Sequence, residues 1–291
     1  VPNGQYGKIA FYSHSFSSVQ PTIDFISFLK NNKGIDFSYY IGSMLNVISN
    51  HMDYFSLGEK DRILLSDNDI ITFAIGEYMN AFDIRNSIGS DMQFSIFPLP
   101  KDSIIDNIDY MGFGDFKEVF DYDLMVYCGC PGSGKDYIAE MNNNIIHSFD
   151  QIRLNKYIGD GNNYLYKTNH ELYDDAFVYC NNNNVNLMSI LNDYVKDDLN
   201  NENIISTPAI CNTSLTRKSR RSIAAQFNKY NIKIVYVVTP SHTLHYRNEN
   251  RSSKKLDRLI MNRFIYNQQV PTMFDFKNTK NVVEIEVLYN E

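Results

Sequence analysis

Between residues 120 and 291, short apolar runs alternate with longer segments whose apolar positions recur at helical spacing. The runs Leu124–Tyr127, Asn144–His147, Ile204–Cys211, Ile232–Val238 and Val282–Val287 have the length and the Val/Ile/Tyr content of strands. Helices are predicted from near Gly134 and over Ser219–Tyr230 and Lys254–Asn267. Strand and helix in alternation predict an α/β fold with a parallel sheet flanked by helices. Residues 8–119 are less regular. Strand-like runs at Lys8–Tyr12, Phe37–Ile41, Asp69–Ile75 and Gln93–Phe97 mix with helical stretches at Pro21–Leu29 and Ser43–Phe55. This pattern predicts a separate α/β domain over residues 1–119 and a second domain over 120–291. The acidic, aromatic segment Lys101–Asp123, with Gly112 and Gly114, marks the division. The tracts Asn142–Asn144 and Asn181–Asn184 read as polar, flexible joints.

A chain of 291 residues with 43% hydrophobic content can fill two cores. Its longest apolar runs fall well short of the roughly 20 residues needed to span a bilayer, and no signal-peptide pattern opens it, so a cytoplasmic protein is expected. The cysteines Cys128, Cys130, Cys180 and Cys211 lack zinc-ligand spacing, which favours reduced thiols. The net charge of −7 is unevenly spread: residues 1–120 hold 8 basic and 15 acidic side chains, whereas residues 211–263 hold 12 basic and only 2 acidic ones. That local excess of ten positive charges reads either as a solvated basic face or as attraction to phosphates.

The strongest chemical signal is Gly129-Cys130-Pro131-Gly132-Ser133-Gly134-Lys135-Asp136, which follows an apolar strand and opens a helix. Glycines let the backbone curl around phosphate oxygens, the helix N-terminus adds positive potential, and Lys135 can reach the β- and γ-phosphates. ATP is the expected ligand of this loop, with Cys130 as packed filler. Asp136 stands where such loops usually carry a Ser or Thr hydroxyl for Mg²⁺; a carboxylate is also a hard oxygen ligand, so Asp136 is the candidate for the metal.

With its surroundings, the loop resembles that of the bacteriophage type of polynucleotide 5′-kinase, and further motifs follow in that family's order over about 170 residues. Ser148-Phe149-Asp150-Gln151-Ile152-Arg153 is similar to its Asp-x-x-Arg. The resemblance implies that Asp150 accepts the proton of the attacking hydroxyl and Arg153 holds an acceptor phosphate. Cys211-Asn212-Thr213-Ser214-Leu215, with Arg220 and Arg221 after it, resembles the family's Asp-Thr-Asn-Leu and following arginines, with Asn212 in place of the aspartate. Asn212, Thr213, Arg220 and Arg221 thus become acceptor-binding candidates. Tyr246-Arg247-Asn248-Glu249-Asn250-Arg251 is similar to the Arg-x-x-x-Arg lid, implying that Arg247 and Arg251 clamp ATP phosphates and that Arg251 neutralises charge in the transfer. Val270-Pro271-Thr272, through Asp275-Phe276 to the last strand, resembles the close of this kinase group.

The resemblance therefore implies γ-phosphate transfer from ATP, with Mg²⁺, to a 5′-hydroxyl of DNA or RNA, in the host cytoplasm if a phage encodes the chain. The alternatives are a kinase of a nucleotide or hydroxylated base, and a non-catalytic nucleotide-binding structural module motivated by Asp136 and Asn212. The family's phosphatase motif Asp-x-Asp-x-Thr is absent from the sequence, as is a Lys-x-Asp-Gly ligase motif. Residues 1–119 faintly resemble SGNH hydrolases at Phe11–Ser15 and around Gly76-Glu77 and Asp83–Arg85, with Ser13 as nucleophile candidate. A scaffold, docking or homo-oligomerisation role is the competing reading.

Overall fold

The computed structural model describes residues 17–51, 53, 57–66, 72, 75, 76 and 121–291, apart from 163, 166, 202 and 253. Strands β1 (Leu124–Gly129), β2 (Ile145–His147), β3 (Pro208–Cys211), β4 (Ile232–Val238) and β5 (Val282–Tyr289) form one sheet in the order β2-β3-β1-β4-β5. Every neighbouring pair is parallel. Helices cover both faces, which is why the central strand β1 is buried at all six positions and reads as an unbroken apolar run. The crossover helices are α4 (Lys135–Met141), α5 (Phe149–Gly159), α6 (Asn169–Asn182), α7 (Leu187–Leu199), α8 (Arg217–Gln226), α9 (Ser241–Glu249) and α10 (Arg258–Tyr266).

The predicted strand positions hold, with β3 beginning only at Pro208. The sequence reading missed α6 and α7. A capping box starts α6, with Thr168 accepting from the Glu171 amide and the Glu171 carboxylate accepting from the Thr168 amide. That Thr-x-x-Glu signature is visible in the sequence, but acidic and Asn residues blur the apolar stripe behind it. The asparagine tracts are structural. Asn144 accepts from the Tyr127 hydroxyl at 2.8 Å and donates to the Thr207 carbonyl at 3.1 Å, closing the turn between α4 and β2. Asn184 takes the left-handed conformation, φ 50°, in the turn between α6 and α7.

The described part of residues 1–119 is helical. It contains α1 (Val19–Lys33), α2 (Ile41–Asn50) and α3 (Glu59–Leu65). The run Phe37–Ile41, read as a strand, is a 3₁₀ turn over Ser38–Tyr40 leading into α2. Val19, Ile23 and Ile26, spaced for one helix face, are at most 1% exposed and share a core with Val126, Ile234, Val238, Leu244 and Ile265. Helix α2 packs on the edge strand β5, where a side chain at Gly42 would sit 3.3 Å from Val287 Cβ. Apolar faces on short helices need a covering partner, and here the sheet supplies it. The runs Lys8–Tyr12 and Gln93–Phe97, most of Asp69–Ile75 and of Lys101–Asp123, and Ser13, Glu77 and Asp83 lie outside the described residues.

The four cysteines are buried and unpaired. Burial pushes the Cys128 thiol up to about 11 and that of Cys130 up to about 12, against a weaker pull from Lys135, so both stay protonated and unreactive. No helix among the described residues is long and apolar enough to cross a membrane.

Candidate functional site

In an open parallel sheet, the chain leaves each strand at its carboxyl end, and side chains just beyond those ends converge on one crevice. Here that rule gathers Gly129–Lys135 after β1, Asp150 after β2, Asn212 and Thr213 after β3, Thr239 after β4 and Asn290 after β5. The strand order reverses direction at β1, so the glycine loop occupies the switch point.

The loop's shape depends on its glycines. Gly129, Gly132 and Gly134 all have positive φ, and Gly132 and Gly134 are both at 86°. A side chain on Gly129 would meet Ser133 Oγ at 2.6 Å and the Val237 carbonyl at 2.7 Å. A side chain on Gly134 would overlap the Asn290 amide. The loop's carbonyls face protein rather than ligand: Asn290 Nδ2 donates to the Ser133 carbonyl at 2.6 Å, Thr239 Oγ1 donates to the same carbonyl at 3.4 Å, and Arg247 Nη1 donates to Gly132 at 3.1 Å. The β1–β3 ladder runs on past the strands, with Gly129 N donating to Thr213 O at 3.1 Å and Asn212 N to Tyr127 O at 3.2 Å. Asn290 and Thr239 are functional-site residues the sequence reading missed. Their only local signal is position directly after a strand.

Asp150 lies in the first turn of α5, whose N-cap Ser148 accepts from the Gln151 amide at 3.2 Å. Its carboxylate accepts from Arg153 Nη1 at 2.9 Å and from Lys254 Nζ at 2.8 Å. Burial pushes the Asp150 carboxyl up, but the hydrogen bond and charge of Lys254, then the charges of Arg153 and Lys135, outweigh it and hold the group below its ordinary value. The helix N-terminus acts in the same direction. Arg153 spans Asp150 and the Phe177 ring, 5.1 Å from its centroid, and Lys254 lies 3.9 Å from the Tyr173 centroid. Helix α6, absent from the sequence reading, thus walls the crevice with two aromatic rings. Lys254 was also missed as a site residue. It follows Arg251 by three positions, and nothing nearby in sequence indicates its partner.

Arg251 is half-buried just past α9 and donates to the Lys254 carbonyl at 3.5 Å. Burial lowers its guanidinium, against the pull of the Asp136 and Asp150 carboxylates. A side chain on Gly132 would lie 3.7 Å from Arg251 Nη2 and 3.8 Å from Arg247 Cβ, so both arginines overhang the loop. Asp136 is exposed in the first turn of α4, and burial together with the Asp136 carboxylate raises the neighbouring Cys211 thiol.

Arg220 needs correction as an acceptor ligand, whereas Arg221 is half-exposed. Arg220 is fully buried, donates to the Ser214 carbonyl at 3.0 Å and the Gln269 carbonyl at 2.7 Å, and lies over the Tyr236 ring. With Arg217 and Arg221 it surrounds the buried carboxylate of Asp275, at 3.1 Å for Arg217 and 3.8 Å for each of the others. These arginines tie α8 to the segment before β5 and leave Arg153 as the predicted acceptor arginine beside Asp150. A signal existed: Arg220 is on the same helical face as Ile223, Ala224 and Phe227, all buried. The basic run of residues 211–263 is partly balanced in space, since Lys233 pairs with Glu284 and Glu286, and Lys254 with Asp150.

No family model and no curated protein matches the chain. Among solved structures it is similar to a gluconokinase from Sinorhizobium meliloti 1021, with 12% identity and a TM-score of 0.33 over 57% of this chain and 81% of that one. It is likewise similar to a sugar kinase from Janibacter sp. HTCC2649, with 12% identity and a TM-score of 0.33 over 58% of this chain and 86% of that one. Likeness at this level carries no functional weight, which leaves the glycine loop, Asp150 and the arginines of the α9 segment to indicate the chemistry.

Proposed function

We propose that this chain is an ATP-dependent phosphotransferase that moves the γ-phosphate to a hydroxyl seated against Asp150, the acceptor being a 5′-hydroxyl of DNA or RNA. The observation that carries the reading is the convergence of a glycine-rich loop, Asp150 and the overhanging Arg247 and Arg251 at the carboxyl edge of the parallel sheet.

Phosphoryl transfer demands positioning and charge neutralisation more than covalent chemistry. The loop amides and Lys135 would hold the β- and γ-phosphates, and Arg251, supported by Arg247, would meet charge spreading over the transferring group. Asp136 fits a Mg²⁺ ligand, being an exposed carboxylate beside the loop lysine; such ions commonly take one or two carboxylates and complete their shell with phosphate and water. When bound, the ion would neutralise phosphate charge. Asp150, held ionised by its cationic neighbours, would accept a hydrogen bond from the acceptor hydroxyl, aim its oxygen at phosphorus and take the proton as the new P–O bond forms and the bond from the γ-phosphorus to the β–γ bridging oxygen breaks, releasing ADP. Lys254 must then yield one carboxylate oxygen to the hydroxyl. Arg153 would hold the phosphate next to the reacting end.

A free nucleotide or other small hydroxylated acceptor is the second reading. It is motivated by the pairing of Arg217, Arg220, Arg221, Lys233 and Lys254 with carboxylates, which reduces the positive charge left to neutralise a polymer. Label transfer from γ-labelled ATP with Mg²⁺ to 5′-hydroxyl oligonucleotides of several lengths, and to mononucleosides, separates the two. Labelled 5′ ends, lost in Asp150→Ala and Lys135→Ala with the fold retained, support the polynucleotide reading. Equal turnover of short and long acceptors supports the small-acceptor one. ATP binding without transfer to any acceptor would sink phosphotransfer and leave a nucleotide-binding module.

A further inference from the structure

Helix α1 lies within residues 1–119, to which the kinase-like resemblance assigns no role, yet its polar side chains reach the two elements that shape the nucleotide side of the site. Asp24 accepts from the backbone amide of Ser241 at 2.6 Å and from the Ser241 hydroxyl at 2.7 Å, so its carboxylate caps the start of α9. The residue before that helix, Pro240, has no side-chain donor or acceptor and makes no cap of its own. Gln20 holds Asp24 in place at 2.9 Å and donates at 3.3 Å to the carbonyl of Thr239, whose hydroxyl in turn bonds the loop carbonyl of Ser133. Gln20 is 1% exposed and is fixed from behind by Gln268 Nε2 at 2.8 Å. Farther along α1, Ser27 and Asn31 bind the Glu291 carboxylate, next to Asn290, which bonds the same Ser133 carbonyl.

From these contacts we infer that α1 is a working part of the nucleotide site and that Asp24 is a positioning residue for ATP, acting through the start of α9 on the arginine that contacts the loop. This rests on the phosphotransferase reading only in taking ATP as the ligand. The physical route is short. Helix α9 is nine residues long, and its orientation sets where Arg247 meets the Gly132 carbonyl and where Arg251 emerges past its end. An anionic cap opposes the positive end of the helix and satisfies an amide that would otherwise lack a partner. The apolar side of α1 gives α9 only non-directional contact, because Val19, Ile23 and Ile26 share a core with Leu244 without fixing how α9 begins. Asp24 does so with two bonds to one residue.

The test is ATP affinity by calorimetry on the full chain, which needs no turnover, alongside melting temperature and, where transfer is detected, KM for each substrate. In Asp24→Ala the Kd for Mg-ATP is expected to rise about five- to thirtyfold, the effect of losing a charged helix cap. Acceptor KM is expected to stay within about twofold, because Asp24 touches only the donor side. Asp24→Asn keeps one acceptor oxygen and should remain within about threefold of wild type. Unchanged ATP affinity in folded Asp24→Ala overturns the inference, as does an equal weakening of donor and acceptor, which would indicate a general loosening. If Asp24→Ala does not fold, Ser241→Ala removes the hydroxyl bond alone. A Kd raised about two- to fivefold there supports the inference, and an unchanged one overturns it. A wild type that binds no ATP would instead refute the phosphotransferase reading itself.

Discussion

Arg153 and Arg220 share a role in the resemblance to polynucleotide kinases, yet their surroundings predict opposite phenotypes for Arg153→Met and Arg220→Met. Arg220 is fully buried, bonds two backbone carbonyls and faces Asp275, whose side chain is 0% exposed. Removing it leaves two carbonyls without their donor and takes one of three guanidinium groups from a buried carboxylate, a change that costs about 3–5 kcal/mol. At about 2–4 °C per kcal/mol for a domain of this size, the melting temperature should fall by about 6–20 °C. Arg153 has 19% of its side chain exposed and pairs with an Asp150 that is 45% exposed, so its loss should cost under about 1 kcal/mol of stability after solvent screening. If Arg153 holds an acceptor phosphate, losing that charge-assisted contact, about 1.5–3 kcal/mol, raises acceptor KM roughly ten- to a hundredfold. Thermal melts and label-transfer kinetics on the two variants decide the matter. Arg220→Met with an unchanged melting point and a raised acceptor KM would refute the structural assignment of Arg220. An unchanged acceptor KM in Arg153→Met would remove Arg153 from the site.

Lys254→Met should move the acid limb of the kcat/KM profile upward. The folded-state carboxyl of Asp150 is depressed, so its ion pairs contribute stability above the unfolded value and lose it as pH falls through the folded one; without Lys254 that point rises. An acid limb that superimposes on wild type would contradict the pairing. Gly134→Ala, with φ at 86° and Asn290 in the way, should weaken ATP binding at least about tenfold while the melting point falls only by a few degrees, read by calorimetry and thermal melt. Asp136→Asn should raise the Mg²⁺ concentration for half-maximal transfer several-fold, and chelation should abolish transfer; an unchanged Mg²⁺ titration would exclude Asp136 as ligand.

Read by itself, the chain determined the features that depend on near neighbours. The inner strands β1, β3 and β4 are legible because each is an apolar run buried on two faces, the edge strands β2 and β5 because they are short runs rich in Ile and Val, and the glycine loop because its glycines, lysine and flanking strand and helix occupy one stretch of backbone. Asp150 is visible as the first polar position of chemical interest after β2. Only tertiary structure decided what each charge faces. Lys254 meets Asp150 across 104 positions and Asp24 meets Ser241 across 217, separations at which local pattern carries no information. The positive run of residues 211–263 was counted along the chain, while much of its countercharge, Asp150, Asp275, Glu284 and Glu286, comes from outside that window. The same holds for α1: its amphipathic spacing shows that one face must be buried, but only the completed sheet with α9 and α10 provides the surface that buries it.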